Sequence, residues 1–377
     1  MNKNWTYVPF TDVFAWCPKS NIGSREAIEN GKYKLFVASA TEIKRYDTFL
    51  ENGERLVFGT GGNPCIHYVN EAFSYTNHTE CAKPICEDVF VKFYYYYFQK
   101  DKYNALQSTF VGGGIKNSSK KKIGALLVPQ IDYTEQKRIV SRIEELFSEL
   151  DNGVETLKKT KQQLAVYRQA VLKEAFENCK PLSSIRDMST LVTSGSRGWA
   201  QFYASEGAKF IRIGNLTRDS IDIDFSDTQY VNLPDKAEGL RSKLQPNDVL
   251  VSITADLGSI GLVPNNIGEA YINQHIAVVR FKNASQGKFM AWYLRSDWGQ
   301  KDLLKNKRGA GKLGLGLDDI RDSRVPVVSD EEAEAVLDII ESRLSVCDSI
   351  EETVDTALQQ AEAMRQSILK KAFDGEL

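Results

Sequence analysis

Apolar residues recur through residues 135–177 at alternating steps of four and three, which is the spacing of a coiled-coil helix. The interval contains no proline, and at 1.5 Å per residue the helix would be about 60 Å long. The same pattern returns in the same register near the carboxyl end of the chain. The predicted seam consists of Ile139, Ile143, Leu146, Leu150, Leu157 and Leu164 in the first helix, and Val336, Ile340, Ile350, Val354 and Ile368 in the second.

Two equal apolar stripes in one chain are expected to pair with each other, because a lone stripe would remain in water. A whole domain connects the two predicted helices, so the pair can lie antiparallel. The alternative is that each helix folds back onto its own domain. Thr134 and Asp330 are the expected amino-terminal caps.

The helices belong to a longer duplication in which the two copies lie 197 positions apart. The most similar stretch is Arg168–Phe176, which matches Arg365–Phe373 as Arg-Gln-x-x-Leu-Lys-x-Ala-Phe. Ahead of the helices the copies diverge. We therefore predict an α+β chain with two mixed α/β domains, joined by two long antiparallel coiled-coil helices in a pseudo-twofold tandem repeat. The expected boundaries are a first domain at 1–130, a first helix at 131–178, a second domain at 179–327 and a second helix at 328–377.

Short strands are predicted in both divergent blocks. Residues 210–216 alternate in the manner of a strand, and residues 248–253 form an apolar run after a turn. Residues 34–38 and 55–58 take the same places in the first block. The aromatic run 93–98, with four consecutive tyrosines, predicts a packed helix late in the domain.

Composition indicates a soluble, cytoplasmic protein, since no run of about 18 apolar residues is present and the six cysteines show no disulfide spacing. The net charge of −2 hides an uneven distribution. Residues 1–122 carry +4 and residues 179–319 carry +3, whereas residues 320–377 carry −8. This asymmetry favours domains that bind DNA and helices that bind proteins.

Three short motifs suggest chemistry that their contexts do not support. Residues 309–314 spell a dinucleotide-binding pattern without a preceding strand and helix. Residues 63–66 resemble the tetrapeptide of amino-methyltransferases but lack its aromatic fourth residue. The group His67, His78, Cys81 and Cys86 has no Cys-x-x-Cys pair, so we expect no metal. No nucleophile and base are suitably arranged, and we expect no catalytic residue.

The candidates for DNA contact are polar and basic residues on the predicted loops, because arginine and asparagine pair with base edges and lysine with phosphate. They are Lys44, Arg45, Asn63, His67, Lys116 and Lys120 in the first block, and Arg197, Trp199, Arg212, Asn215, Arg218, Arg308 and Lys312 in the second.

With these features together, the chain resembles the specificity (S) subunit of type I restriction–modification systems over essentially its whole length. The motifs that carry the resemblance are residues 211–216, 248–253, 309–315 and the final 365–377.

The resemblance implies that each divergent block, 1–130 and 179–327, is a target recognition domain that recognises one half of a split, asymmetric target in double-stranded DNA. The long helices would set the spacer and dock two methyltransferase (M) subunits, and two restriction (R) subunits would complete the complex. S-adenosylmethionine, ATP and Mg²⁺ would bind to those partners, so this chain would be non-catalytic and hold no cofactor. The alternatives are a coiled-coil scaffold that binds proteins, and an S-like subunit of a related restriction system.

Overall fold

The computed structural model describes residues 5–180, 182–233, 241–308 and 313–377. The chain divides into two compact units. The first unit comprises Met1–Lys159 and Val354–Leu377, and the second comprises Thr160–Thr353. Each long helix therefore contributes one part to each unit.

The strands of the first unit are β1 (Thr6–Pro9), β2 (Phe14–Trp16), β3 (Tyr33–Phe36), β4 (Ile43–Tyr46), β5 (Glu54–Gly59), β6 (Cys65–Asn70), β7 (Phe73–Tyr75), β8 (Thr79–Pro84) and β9 (Leu127–Gln130). Those of the second unit are β10 (Leu182–Ser184), β11 (Ser189–Ser194), β12 (Tyr203–Ala204), β13 (Ala208–Ile211), β14 (Gln229–Val231), β15 (Val249–Ser252), β16 (Ile260–Leu262), β17 (Ala270–Ile272), β18 (Ile276–Phe281) and β19 (Arg324–Pro326).

The α-helices are α1 (Val91–Gln99), α2 (Asn104–Gln107), α3 (Lys120–Gly124), α4 (Tyr133–Phe176), α5 (Ile185–Met188), α6 (Gly287–Arg295), α7 (Asp297–Leu303), α8 (Leu317–Arg321) and α9 (Asp330–Asp374). Short 3₁₀ helices span Phe10–Asp12, Ser24–Glu26, Lys100–Tyr103, Trp199–Phe202, Ile213–Asn215 and Ala284–Gln286.

The two units share one strand topology. In the first unit β1 pairs with β9, a four-stranded sheet has the order β2-β8-β5-β6, and a smaller sheet has the order β4-β3-β7. In the second unit β10 pairs with β19, and the corresponding sheets have the orders β11-β18-β15-β16 and β12-β14-β13-β17. The three-stranded sheet of the first unit and its counterpart in the second unit, which has β12 as a fourth strand, each contain one parallel pair, β3 with β7 and β13 with β17. The predicted α+β tandem repeat is confirmed by this shared order.

The predicted aromatic helix is α1, which packs its buried face against the four-stranded sheet of the first unit. Phe93 and Phe98 are buried there. The buried tyrosines keep their hydroxyls hydrogen-bonded, since Tyr94 donates to the carbonyl of Pro129 at 3.0 Å and Tyr97 to that of Leu127 at 3.1 Å. The rings of Tyr94 and Tyr97 thus fill this core while their hydroxyls remain paired.

The strand predicted at 210–216 ends earlier than its alternation suggests. β13 stops at Ile211, and Ile213–Asn215 form a 3₁₀ turn. The side chain of Asn215 accepts a hydrogen bond from the backbone N–H of Arg212 at 2.8 Å and so closes this turn. A local side-chain bond of this kind competes with extension of the strand.

The long helices begin close to the predicted positions, but with other caps. Asp132 Oδ2 accepts a hydrogen bond from the backbone N–H of Thr134 at 3.0 Å. At the second helix, Ser329 Oγ accepts from the N–H of Glu332 at 3.2 Å, and Glu332 Oε2 accepts from the N–H of Ser329 at 2.8 Å. Ser329 and Glu332 therefore form a capping box in place of the cap expected at Asp330.

Both ends of the helical pair pack into domain cores. Phe373 of α9 is fully buried, with its ring centroid 5.2 Å from Phe93 and 5.4 Å from Tyr97. In the second unit, Phe176 of α4 lies 5.4 Å from both Phe289 and Tyr293. The last residue of the duplicated motif, phenylalanine in both copies, thus anchors the carboxyl-terminal end of each long helix in a domain core.

Within each unit the helices run antiparallel, and most of the predicted seam is at least partly buried. The buried members are Ile139, Ile143, Leu164, Ile340 and Val354, and the partly buried ones are Leu146, Leu150, Leu157, Val336 and Ile368. Ile350 differs because 40% of its surface is exposed. Its assignment to the seam is wrong, since Cys347 and Val354 take the inward positions of that turn.

Candidate nucleic-acid interface

A glycine hairpin and a neighbouring turn lie side by side in the first unit. Val111 and Asn117 close the hairpin through two backbone hydrogen bonds of 3.0 and 2.9 Å. The N–H of Gly62, in the turn after β5, donates to the carbonyl of Lys116 at 3.0 Å. Asn63 follows directly and, like Lys116, is exposed. The structure therefore brings together two of the predicted DNA-binding residues.

The second unit repeats this arrangement. Arg308 and Gly314 close a hairpin through backbone hydrogen bonds of 3.0 and 2.8 Å. Gly314 also forms an isolated bridge with Thr254, which begins the turn after β15. The predicted residue Lys312 lies between Arg308 and Gly314 in sequence and outside the described residues.

The two loop pairs offer different chemistry to a ligand. Asn63 presents an amide that can pair with an adenine edge, and Lys116 presents a cation suited to phosphate. In the second unit, the exposed guanidinium of Arg308 is 2.8 Å from Asp319 Oδ1. Only the arginine end of this pair is open to solvent, since 78% of the Arg308 side chain but 6% of the Asp319 side chain is exposed. Arg308 can therefore present its outer face to a ligand while it remains paired with Asp319.

One histidine lies next to each loop pair. In the sequence, these two residues, His78 and His275, are noticeable only because they correspond in the duplication. Thr60 donates from its N–H to the carbonyl of His78 at 3.0 Å. In the second unit, the N–H of Ile253 donates to the carbonyl of His275 at 2.9 Å, and Thr254 Oγ1 lies 2.6 Å from His275 Nδ1. The duplication was thus the available signal for these two supporting residues.

Arg218 is attached to the turn after β15. Its Nε donates to Asp256 Oδ1 at 2.9 Å, and its Nη2 donates to the carbonyl of Leu257 at 2.8 Å. The hydrogen bond from Arg218 holds the pKa of Asp256 below its usual value. The pair is about half exposed, which places this arginine beside the candidate interface and within reach of a ligand.

Asn215 does not reach the surface. Only 3% of it is exposed, and its Nδ2 donates to the carbonyls of Asp224 at 2.7 Å and Asp227 at 3.2 Å. The prediction that Asn215 contacts DNA is therefore wrong, because its polar atoms are used inside the turn. Arg212 lies beside it, lines a cavity of about 320 Å³ and pairs with Asp227 at 2.9 Å.

Two aromatic candidates are also structural. Trp199 is 6% exposed and stacks on Phe210, with ring centroids 4.8 Å apart. His67 is half-buried in β6, and its Nε2 lies 2.8 Å from the carbonyl of Ser39. Burial lowers the pKa of His67, so the ring is neutral near pH 7. The prediction that Trp199 contacts DNA is therefore wrong, whereas a role of His67 in DNA contact stays a prediction.

Lys44 and Arg45 lie on β4, at the edge of the smaller sheet of the first unit. Lys44 Nζ donates to the carbonyl of Ser24 at 3.1 Å, and Arg45 Nε to that of Gly31 at 2.8 Å. These bonds attach the adjoining loop to the strand. A role in DNA contact stays a prediction for both.

Lys120 and Arg197 differ in how available their charged groups are to a ligand. Lys120 Nζ donates to the carbonyl of Cys17 at 3.1 Å and pairs with Glu80 at 3.2 Å, so its charge is largely neutralised. Arg197 is exposed and precedes Gly198, which has a left-handed φ of 84°. Arg197 is the more accessible of the two to a phosphate.

In the described ranges of the chain, no helix combines the length and the apolar character needed to cross a membrane. Nor do three or more His, Cys, Asp or Glu side chains in these ranges gather as metal ligands.

A family model of the type I restriction modification DNA specificity domain matches residues 2–165 and 183–360. The chain is 25% identical to the EcoBI specificity subunit of Escherichia coli over 331 residues, which cover 80% of this chain and 69% of that subunit. It is 24% identical to the StySPI specificity subunit of Salmonella potsdam over 303 residues, which cover 75% and 65%. For the EcoKI subunit of Escherichia coli strain K12 the identity is 24%, and the coverage is 73% and 62%. The chain thus spans about two thirds of the length of these relatives.

Solved structures show the same fold at low identity. A chain from a structure of "complex assembly and conformational transition of the type I R-M system" superimposes with a TM-score of 0.75 at 15% identity, covering 100% of this chain and 99% of that chain. The HsdS subunit of Thermoanaerobacter tengcongensis gives a TM-score of 0.51 at 15% identity, with 100% and 98% covered. Two matched specificity domains, the duplicated loop pairs and the long helices agree, and the chain belongs to the type I restriction–modification DNA specificity family.

Proposed function

We propose that this chain selects the DNA sequence on which a type I restriction–modification complex acts, and that each unit recognises one half of an asymmetric, split target. The observation that carries the proposal is the loop pair that recurs on the same strands of both units with different side chains. Asn63 and Lys116 belong to the loop pair of the first unit. In the second unit, Arg308 belongs to the loop pair and Arg218 lies beside it. A common frame with unlike side chains suits recognition of two unlike half-sites.

The chemistry of the complex would reside in partner subunits. Two methyltransferase subunits would bind S-adenosylmethionine and methylate adenine N6, and two restriction subunits would use ATP and Mg²⁺ for translocation and cleavage. This chain would be non-catalytic, bind no cofactor and act in the cytoplasm. The net charge of −8 over residues 320–377 supports a role for α9 in binding protein, because a duplex repels such a segment.

The spacer between the half-sites would depend on the long helices. α4 and α9 each continue without a break, over 44 and 45 residues. The contacts that fix them to the domains lie at their ends, for example at Phe176 and Phe373. A change in the length of both helices that keeps these end contacts would therefore alter the length of the spacer and leave the half-sites unchanged.

The test is co-expression of the chain with the methyltransferase subunit in a host free of N6-methyladenine, followed by genome-wide mapping of that base. One split motif, modified once on each strand, is the expected result. The variant N63A/K116A should change the preference at one half-site, and R218A/R308A at the other. New methylation without a shared motif, or a change at both half-sites in each variant, would contradict the proposal.

A further inference from the structure

The second unit contains a cavity of about 290 Å³ whose lining carries an excess of positive charge. Residues of α4, α6 and α9 line it together with the loop that contains Arg218. The lining includes two carboxylates, Asp219 and Glu351, and four cations, Lys161, Arg168, Arg218 and Arg295. A concave site with charge of one sign concentrates ligands of the opposite sign. We call this space the arginine cavity.

Arg295, the last residue of α6, is partly buried and unpaired. Among the residues that the structure describes, its guanidinium has no hydrogen-bond or ion-pair partner, and its Nε is shielded from solvent. Burial lowers the pKa of Arg295, while Asp219 attracts the charge from beyond ion-pair distance. A guanidinium nevertheless stays protonated in proteins. A shielded cation of this kind is costly unless an anion compensates it.

The other three cations of the lining are held by carboxylates. Arg168 pairs with Glu351 at 2.9 Å, and Lys161 lies 3.4 Å from the same carboxylate. Arg218 is held by Asp256. These ion pairs fix three positive groups around the arginine cavity and neutralise Glu351, so that Glu351 does not repel an anion.

Two further hydrogen-bond donors lie close to Arg295 in the fold and also lack acceptors. The side-chain amide of Gln169 lines the arginine cavity and has no partner in the described part of the chain. Trp292 precedes Arg295 by three residues on the same face of α6, and its buried indole Nε1 is unpaired there too. Arginine and tryptophan side chains only donate hydrogen bonds. The missing partner is therefore an acceptor, and a phosphate group combines several acceptor oxygens with negative charge.

The first unit does not repeat this charge. Its cavity of about 680 Å³ is lined by the duplicated arginine and glutamine of the long helices, as the arginine cavity is. Glu362, however, lines it at the position that Ala165 takes in the second unit. Helix α1 ends at Gln99, whereas α6 ends at Arg295. The unpaired cation thus belongs to one unit, and a ligand that needs it would bind once per chain.

We propose that the arginine cavity binds the phosphate group of a small molecule, with Arg295 as the anchoring cation and Gln169 as a second donor. Arginine suits this role because its planar fork matches two phosphate oxygens at once. A volume of about 290 Å³ is at the lower limit of ligand pockets, so the cavity holds one or two phosphate groups rather than a whole nucleotide. The inference is separate from DNA recognition, since it depends on the unpaired donors of one cavity.

The test is calorimetric titration of the full chain with inorganic phosphate and pyrophosphate in chloride buffer. The wild type should bind one pyrophosphate per chain. R295M should weaken this binding by roughly tenfold or more, because it removes the unpaired guanidinium. R186M is the matched control, since Arg186 is an exposed arginine of the same unit that pairs with Asp322 at 2.8 Å. It should bind pyrophosphate as the wild type does.

Thermal unfolding distinguishes a lost ligand from a lost fold. Without phosphate, R295M should unfold at a temperature no lower than that of the wild type, because an apolar side chain replaces an uncompensated charge. Pyrophosphate should raise the unfolding temperature of the wild type and of R186M, but not that of R295M. Equal pyrophosphate affinity in R295M and the wild type would overturn the proposal.

DNA is the other source of phosphate, and a second titration separates it from a small molecule. The affinity of a short duplex should be the same for R295M and the wild type at each salt concentration. If the wild type bound neither phosphate nor pyrophosphate and R295M bound the duplex more weakly, the arginine cavity would belong to the DNA-binding surface. That result would overturn the assignment to a small molecule and leave the proposed function intact.

Discussion

Arg168 on α4 pairs with Asp348 on α9 at 2.7 Å, and the corresponding residues of the other copies, Arg365 and Asp151, form the same pair in the first unit. Each pair therefore joins an arginine from one copy of the duplication to an aspartate from the other. Because the partners lie on different helices, these pairs fix the antiparallel register as well as adding attraction.

The pair in the second unit can be tested by truncation. R168A should lower the free energy of unfolding by about 1 kcal/mol, because the side chain is only 17% exposed and also contacts Glu351 at 2.9 Å. D348A should lower the free energy of unfolding by a smaller amount, since Arg168 keeps its ion pair with Glu351. Urea denaturation measures both. R142A, which removes an exposed pair with Glu145, is the control, and an equal cost for R142A would contradict the register role.

The terminal phenylalanines of the duplicated motif should be equally important to the two units. F373A and F176A each remove a buried ring from a domain core, and each should cost roughly 3–5 kcal/mol. Calorimetry of the full chain should show the destabilised transition. The exposed substitution M364A on the same helix should have little effect. A cost below about 1 kcal/mol for F373A would mean that the helix end does not belong to the core.

Lys116 should contact phosphate and leave sequence preference unchanged. K116A is expected to weaken binding to every duplex alike and to reduce the slope of log affinity against log salt by about 1. Fluorescence anisotropy at several salt concentrations gives that slope. K158A removes an exposed lysine of α4 and is the control. If K116A altered the slope no more than K158A, the hairpin would not lie on the DNA.

His67 makes stability depend on pH. Burial lowers its pKa in the folded state below the unfolded value of about 6.5. The unfolded chain therefore binds a proton more readily, and stability present above pH 6.5 is lost as the pH falls below it. H67Q keeps a donor for the carbonyl of Ser39 but cannot titrate. The difference in unfolding free energy between pH 8 and pH 5 should be smaller for H67Q than for the wild type, and an unchanged difference would contradict this account.

Removal of seven residues from the middle of both α4 and α9 should change the spacer of the methylated motif and preserve both half-sites. Seven helical residues span about 10 Å, or roughly three base pairs of B-DNA. Methylation mapping of the shortened chain gives the new motif directly. A deletion in only one helix breaks the ion-pair register and should abolish methylation. A shortened chain with the original spacer would contradict the role of the helices.

Local periodicity made the long helices predictable, because a stripe at helical spacing needs no knowledge of distant partners, and the aromatic run 93–98 indicated α1. The 3₁₀ turn at Ile213–Asn215 was not predictable, since residues 210–216 alternate between apolar and polar in the manner of a strand. The burial of Asn215 depends on the carbonyls of Asp224 and Asp227, which only the folded chain brings near. Trp199 likewise became a core residue through its stacking on Phe210.

The helix seam shows the same division. The heptad spacing correctly identified the buried leucines and isoleucines. The inward face of α9, however, contains Cys347 and Val354, and Ile350 does not lie on it. The amino-terminal ends of the helices pack on the domain that precedes each helix, as in the alternative considered from sequence, whereas the carboxyl-terminal ends pack on the other domain, at Phe176 and Phe373. The ion pairs join the two helices to each other. A periodic pattern identifies an apolar face but not which surface covers it.

Gly153 makes the two copies of the duplication unequal at one helix position. Ile350 occupies the corresponding position of the other copy, so a side chain stands there where the first unit has an open space. Any molecule that contacted this position in both copies would meet two different surfaces, so the pseudo-twofold repeat does not make its two copies interchangeable.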